Sequence, residues 1–289
     1  MSKADRADRI VALIEGESGS GKSFFMACIP NAVIYDSDIA GGLSAYNERI
    51  KKNGSERVEV STFEDIMTDI RQRLKSGSLK ETVVIDHVTG LHQEALIRYN
   101  PAQDSDYGRS NNKATYDWRK LREFARTFDC NLFCVSHPKA EYKNDKAVGM
   151  VADGAKNIRG DMNIVLSLES LKDDKGRKRY PAVANVIKWR RDPDLDARGP
   201  VPPSFKFTLE EFGKIHGANY QREREKVVLA KPESIESLNK VMALLDKEVA
   251  SEMVSKWLKA AGVDGLEFLT EEQVSKCHDL IKTKINGGK

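Results

Sequence analysis

No window of this sequence approaches the ~18 apolar residues that a membrane-spanning helix needs, so no transmembrane segment is expected. The first nine residues are polar and carry no apolar h-region, so they do not read as a signal peptide. Cysteine is scarce, at positions 28, 130, 134 and 277, with no C-x-x-C pair. Disulfides are therefore not expected and the compartment should be reducing. Cys130 and Cys134, which flank a strand-like run, read as small buried hydrophobes. An excess of one charge is also missing. Lys+Arg 47 against Asp+Glu 44 leaves only +3, so any affinity for nucleic acid must come from local basic patches. What remains, 40% apolar and 31% charged over 289 residues, suits one sizeable α/β domain with a small appendage.

The most informative stretch is Gly16-Glu17-Ser18-Gly19-Ser20-Gly21-Lys22-Ser23. It follows the apolar run Ile10–Ile14 and matches G-x-x-x-x-G-K-[ST], a phosphate-binding loop. The spacing has a physical reason. A buried strand ends abruptly, the chain wraps a polyphosphate with its amides, and a helix then starts with its N-terminus facing the anion. Lys22 would reach the β/γ-phosphates of a bound nucleotide, the Ser23 hydroxyl would ligate Mg²⁺, and Lys22–Cys28, with Phe24 in its first turn, reads as the helix that Pro30 closes. Glu81 to Asp86 is a β-branched run ending in aspartate about 60 residues later, the companion pattern in which the terminal carboxylate holds Mg²⁺.

Other features are open to two readings. Asp36 and Asp38 follow the strand Ala32–Tyr35, and Asp38 could hold a water near the γ-phosphate; equally, both could cap the next turn. Residues 43–57 read as an exposed helix, Val58–Val60 as a strand, and Thr62–Lys75 as an amphipathic helix. Residues 99–112 are a polar aperiodic loop too long for a mere connector, and Thr115–Phe128 is a helix. A third buried strand, Asn131–Val135, ends in Ser136-His137, which could sense a γ-phosphate or satisfy local hydrogen bonds. Pro138–Gly160 reads as a long irregular basic segment with Lys139, Lys143, Lys146, Lys156, Arg159 and Tyr142. That composition suits a loop tracking and stacking single strands, or a solvated surface excursion. A hairpin turn at 173–176 joins strands 163–168 and 180–189, and strand alternation puts Lys188 and Arg190 on one face. They could reach a neighbouring subunit's phosphates or form a solvated basic edge. Phe205–Phe207 is a last edge strand, residues 219–233 a linker, Ser234–Ala261 a helix, and Thr270–Gln273 a capping box opening a final helix.

The order of these features resembles a RecA-type ATPase core, most of all the phage-encoded RecA-core proteins grouped with single-strand annealing recombinases, over roughly residues 8 to 210. The resemblance implies an α/β fold with a mostly parallel central sheet flanked by helices (1–218), a linker (219–233) and a small C-terminal helical module (234–289). It makes Asp38 the counterpart of the family's water-activating glutamate, one methylene shorter. It puts Ser136-His137 at the sensor pair, and residues 99–112, with Arg109 and neighbouring Lys113, and 138–160 at two DNA-binding loops. Lys188 and Arg190 match the cations that reach the adjacent protomer's ATP. The implied activity is Mg²⁺-dependent, DNA-stimulated ATP hydrolysis by a filament or ring bound to single-stranded DNA. The helical tail would recruit a partner such as a single-strand-binding protein, in the cytoplasm of an infected bacterium. Two other classes compete with it: an ATP-loaded switch resembling a helicase loader, with little turnover, and a small-molecule kinase.

Overall fold

Residues 9–38, 42–101, 107–127, 130–143, 146–155, 157–190, 200–216, 229–261, 263 and 265–286 are described by a computed structural model. Its strands are β1 (Val11–Gly16), β2 (Ala32–Asp36), β3 (Glu56–Glu59), β4 (Thr82–Asp86), β5 (Asn131–Ser136), β6 (Pro138–Lys143), β7 (Lys146–Ala152), β8 (Ile164–Lys172), β9 (Lys178–Trp189) and β10 (Ser204–Lys206). Eight of them form one sheet in the order β10-β9-β8-β1-β5-β4-β2-β3, and β6 and β7 pair separately. From β3 to β8 across this sheet every pairing is parallel; β9 and β10 close one edge antiparallel. The chain is thus α/β with a mostly parallel central sheet.

The short apolar runs are fully buried because both faces of the sheet are covered, as parallel sheets require. Alternation divides each strand between two cores. Val11, Leu13, Val83, Ile85, Leu132 and Cys134 face one side, and Ala12, Ile14, Val84, Phe133 and Val135 the other. The first side is covered by α3 (Phe63–Ser76), α4 (Val88–Tyr99) and α5 (Tyr107–Thr127), with Phe63 and Trp118 at its centre. The second is covered by α1 (Lys22–Cys28) and α7 (Leu209–His216), where Phe25 stacks on Phe207 at 4.2 Å between ring centroids. Helix α3 starts at a capping box between Thr62 and Asp65. The C-terminal helices α8 (Pro232–Met242), α9 (Lys247–Ala261) and α10 (Glu271–Asn286) extend the first core through Phe268, which meets Phe124 edge-on.

Several sequence expectations are corrected. Pro138–Gly160 is not irregular: it contains the hairpin β6–β7 and the short helix α6 (Ile158–Asp161). Helix α5 begins at Tyr107, well inside the expected loop of 99–112. Residues 43–57 hold only a 3-10 turn and α2 (Asn47–Lys52) before β3. Residues 234–261 are two helices, because the Asp246 carboxylate accepts the Glu248 amide and starts α9 afresh. The expected linker, 219–233, falls mostly outside the described residues, and α8 already begins at Pro232. No helix among the described residues is long and apolar enough to cross a membrane.

Candidate functional site

The carboxyl ends of β1, β2, β4 and β5 lie along one edge of the sheet, the position at which open α/β sheets present ligand-contacting groups. From the end of β1 the chain turns through residues 17–21 into α1, with Gly21 capping the helix at φ 90. An L side chain rarely adopts that backbone conformation. Gly16 is required for a different reason: a Cβ there would stand 2.7 Å from Ser20 Oγ and 3.0 Å from Leu168 Cβ. Glu17, Ser18 and Gly19 are exposed at the rim. The buried Lys22 ammonium donates to the carbonyls of Gly16 (2.5 Å) and Glu17 (2.7 Å) and to Ser20 Oγ (3.4 Å). A cation is thus held inside the loop, with its donors on the loop's own oxygens.

Beside it stands Asp86, at the end of β4 and 3% exposed. Burial pushes its carboxyl up to about 6. The neighbouring Asp36 and Asp38 carboxylates add to the shift, against the Ser23 hydroxyl bonded to it and the Lys22 ammonium. Asp36 belongs to the scaffold. Its carboxylate takes Arg57 Nε at 2.7 Å and the Asp38 amide at 3.0 Å, the capping role that one reading gave it. Asp38 is half-buried and reaches the Gly42 amide at 3.4 Å. The donor set fits Mg²⁺. A buried carboxylate bonded to a hydroxyl supplies one or two oxygens, and this ion completes its shell with waters and substrate phosphates rather than a protein cage.

Two histidines face the same edge. His137 follows β5 as expected; His87, directly after Asp86, carries no sequence signal beyond that adjacency. Their rings meet edge-on at 4.7 Å between centroids. His87 Nδ1 accepts the Gly90 amide and caps α4, which fixes its tautomer. Burial, then the Lys22 ammonium, holds His137 below the usual imidazole range, with Asp38 and Asp153 pulling the other way. His87 is lowered by burial and by His137. The Ser136 hydroxyl is fully buried and has no hydrogen-bond partner among the described residues. Thr89 Oγ1 accepts the His137 amide (3.1 Å) and donates to the Asp153 carbonyl (2.6 Å), while the Asp153 amide bonds the His137 carbonyl. Both roots of the β6–β7 hairpin are therefore tied to the N-terminal turn of α4.

The remaining expected site residues scatter. Arg159 is no loop cation: it forms a two-pronged pair with Glu15, at 2.7 and 2.5 Å, and its Nη2 also reaches the Met150 carbonyl. Glu15, only 1% exposed, is an acid in an otherwise apolar strand run, a signal that sequence reading passed over. Lys188 lies at the end of β9, opposite Val165. Lys188 Nζ donates to the carbonyls of Arg159 and Gly160, and the Arg190 guanidinium is close enough to act on its ammonium. Arg190 lies just past β9 and is exposed. Lys139 pairs with Asp153 at 2.9 Å and Lys113 sits 5.3 Å over the Tyr99 ring, and both are exposed. Lys146 and Arg109 are exposed at the starts of β7 and α5. Tyr142 and Lys143 lie on β6, but their side chains, like all of Lys156, lie outside the described residues.

No protein-family model matches this chain, and no curated protein matches it in sequence.

Proposed function

We propose that this chain is a RecA-like P-loop ATPase that binds single-stranded DNA and acts in recombination or annealing. The observation that carries this reading is a convergence at one sheet edge. The loop Gly16–Ser23, the Ser23–Asp86 pair and the Asp38 carboxylate meet where the hairpin β6–β7 is rooted. On this reading Lys22 exchanges the carbonyls of Gly16 and Glu17 for β/γ-phosphate oxygens, an interaction that favours the charge developing in phosphoryl transfer. Ser23 and Asp86 hold Mg²⁺, which when bound neutralises phosphate charge. Asp38 orients the attacking water, and His137, between Lys22 and Thr89, senses the terminal phosphate. Exposed Lys146 on the hairpin and Arg109 on α5 supply phosphate contacts to the DNA. Of the two cations expected to act across a subunit interface, Arg190 suits that role better, since Lys188 is held within its own chain.

A second reading, an ATP-loaded switch with little turnover, is favoured by the Asp38 carboxylate, which is one methylene shorter than a glutamate and leans on the Gly42 amide. ATP hydrolysis measured with and without single-stranded DNA, beside Lys22→Ala, separates them. Stimulation by DNA that disappears in Lys22→Ala supports the recombinase. Turnover indifferent to DNA, with no ATP-dependent and salt-sensitive DNA binding, refutes it in favour of the switch.

A further inference from the structure

Three aromatic rings and a guanidinium stand against one flank of the Gly16–Ser23 loop. Tyr180, near the start of β9, lies so close to the loop that a Cβ on Gly21 would be 3.1 Å from its ring. Its ring meets Phe24 edge-on at 4.5 Å between centroids, and Phe24 meets Tyr46 edge-on at 5.7 Å. The Arg49 guanidinium sits 4.8 Å over Phe24. Tyr46 packs against the second core, but Tyr180 and Phe24 belong to neither core. Tyr180 is 48% exposed, and Phe24 lies outside both buried clusters although its neighbours Phe25 and Met26 lie within one. The β8–β9 ladder is also irregular here. Glu169 pairs with Val183 but Leu171 with Arg179, so β9 carries extra residues, Tyr180 among them. Bulges of this kind re-aim a side chain and are over-represented beside functional sites.

We infer that Tyr180 and Phe24, flanked by Tyr46 and Arg49, are the stacking platform for the base of a nucleoside triphosphate held by the Gly16–Ser23 loop. The inference rests on the reading of that loop as an ATP site and adds which residues take the flat heteroaromatic end of the ligand. A bare polyphosphate would leave the platform uncovered. A nucleobase offers a π-face to Tyr180 and is attracted by the guanidinium beside it, as in other base–aromatic contacts.

The test is titration calorimetry of ATP and of inorganic tripolyphosphate into the wild type, Tyr180→Ala, Tyr180→Phe and Lys22→Ala. Tyr180→Ala should weaken ATP about tenfold or more, the range a base–aromatic stack is worth. It should leave tripolyphosphate within about twofold of wild type, since the loop itself is untouched. Tyr180→Phe should restore ATP binding, and Lys22→Ala should weaken both ligands. Equal weakening of ATP and tripolyphosphate in Tyr180→Ala would show that the ring only shapes Gly21, and would overturn the inference. So would wild-type protein that binds tripolyphosphate as tightly as ATP, an outcome that leaves the phosphate site standing. Wild type that binds neither ligand removes both readings.

Discussion

Replacing Arg159 by alanine should cost this protein about 3 kcal/mol of folding stability, although the side chain lies on a segment that reads as a surface loop. The figure follows from what the change would leave behind. Glu15 sits in the middle of the sheet, its side chain 1% exposed, and Arg159 supplies two hydrogen bonds to its carboxylate. Removing one member of a buried pair strands the other charge, at about 3–5 kcal/mol. The lower figure applies because the Arg159 side chain is itself 30% exposed, so water can reach part of the vacated space. Urea denaturation of the wild type, Arg159→Ala, Glu15→Gln and the double variant reads the pair directly. Glu15→Gln placed in the Arg159→Ala background should recover a large part of the loss, because no charge is then left buried. A cost under about 1 kcal/mol for Arg159→Ala, with no recovery in the double variant, would refute the reasoning and return Arg159 to the set of exposed loop cations.

Three further outcomes are expected. In chelator, Asp86→Asn should stabilise the protein by about 3 kcal/mol at pH 8, since a carboxyl raised from 3.8 to about 6 disfavours the folded state wherever it is ionised. The wild type recovers about half of that difference as pH falls through 6 to 5, so a gap between the two proteins that does not shrink from pH 8 to pH 5 would contradict the assignment. Phe25→Ala removes a fully buried ring stacked on Phe207 and should cost about 3–5 kcal/mol, read from the urea midpoint. Lys188→Ala should cost about 1 kcal/mol by releasing the last carbonyls of α6, whereas Arg190→Ala, at an exposed position, should stay within about 0.5 kcal/mol by the same measurement.

The buried strands were legible because burial on both faces leaves short apolar runs with abrupt ends, as in Thr82–Asp86 and Asn131–Ser136. The loop Gly16–Ser23 was legible because much of what sets its glycines is local: the left-handed backbone at Gly19 and Gly21 and the close approach of Ser20 to Gly16. The hairpin β6–β7 was not. Its two strands pair only with each other, so neither face is driven to an apolar alternation, and Lys139, Glu141 and Lys143 dilute what pattern there is. The first turns of α5 were missed because Gly108, Ser110, Asn111 and Asn112 are weak helix formers; packing of the buried Ser110 and Ala114 overrides their propensity. The pair Glu15–Arg159 spans 144 residues and lies beyond any local signal. Tyr180 carried no local signal, because its place is set by extra residues of β9 where the strand slips register against β8.

The tether between α4 and the hairpin has a mechanical consequence. Thr89 holds His137 at one root of the arm and the Asp153 carbonyl at the other, within a single turn of helix. Six residues of β6 at about 3.3 Å each make an arm of about 20 Å. Arg159 Nη2 ties the Met150 carbonyl, opposite Ala140, so the outer three residues of β6, about 10 Å, project past the last tether. A tilt of about 10° there would carry the tip about 2 Å. The arm thus has two holds, Thr89 at its roots and Arg159 half-way along, and the reach of residues 143 and 146 is set by both.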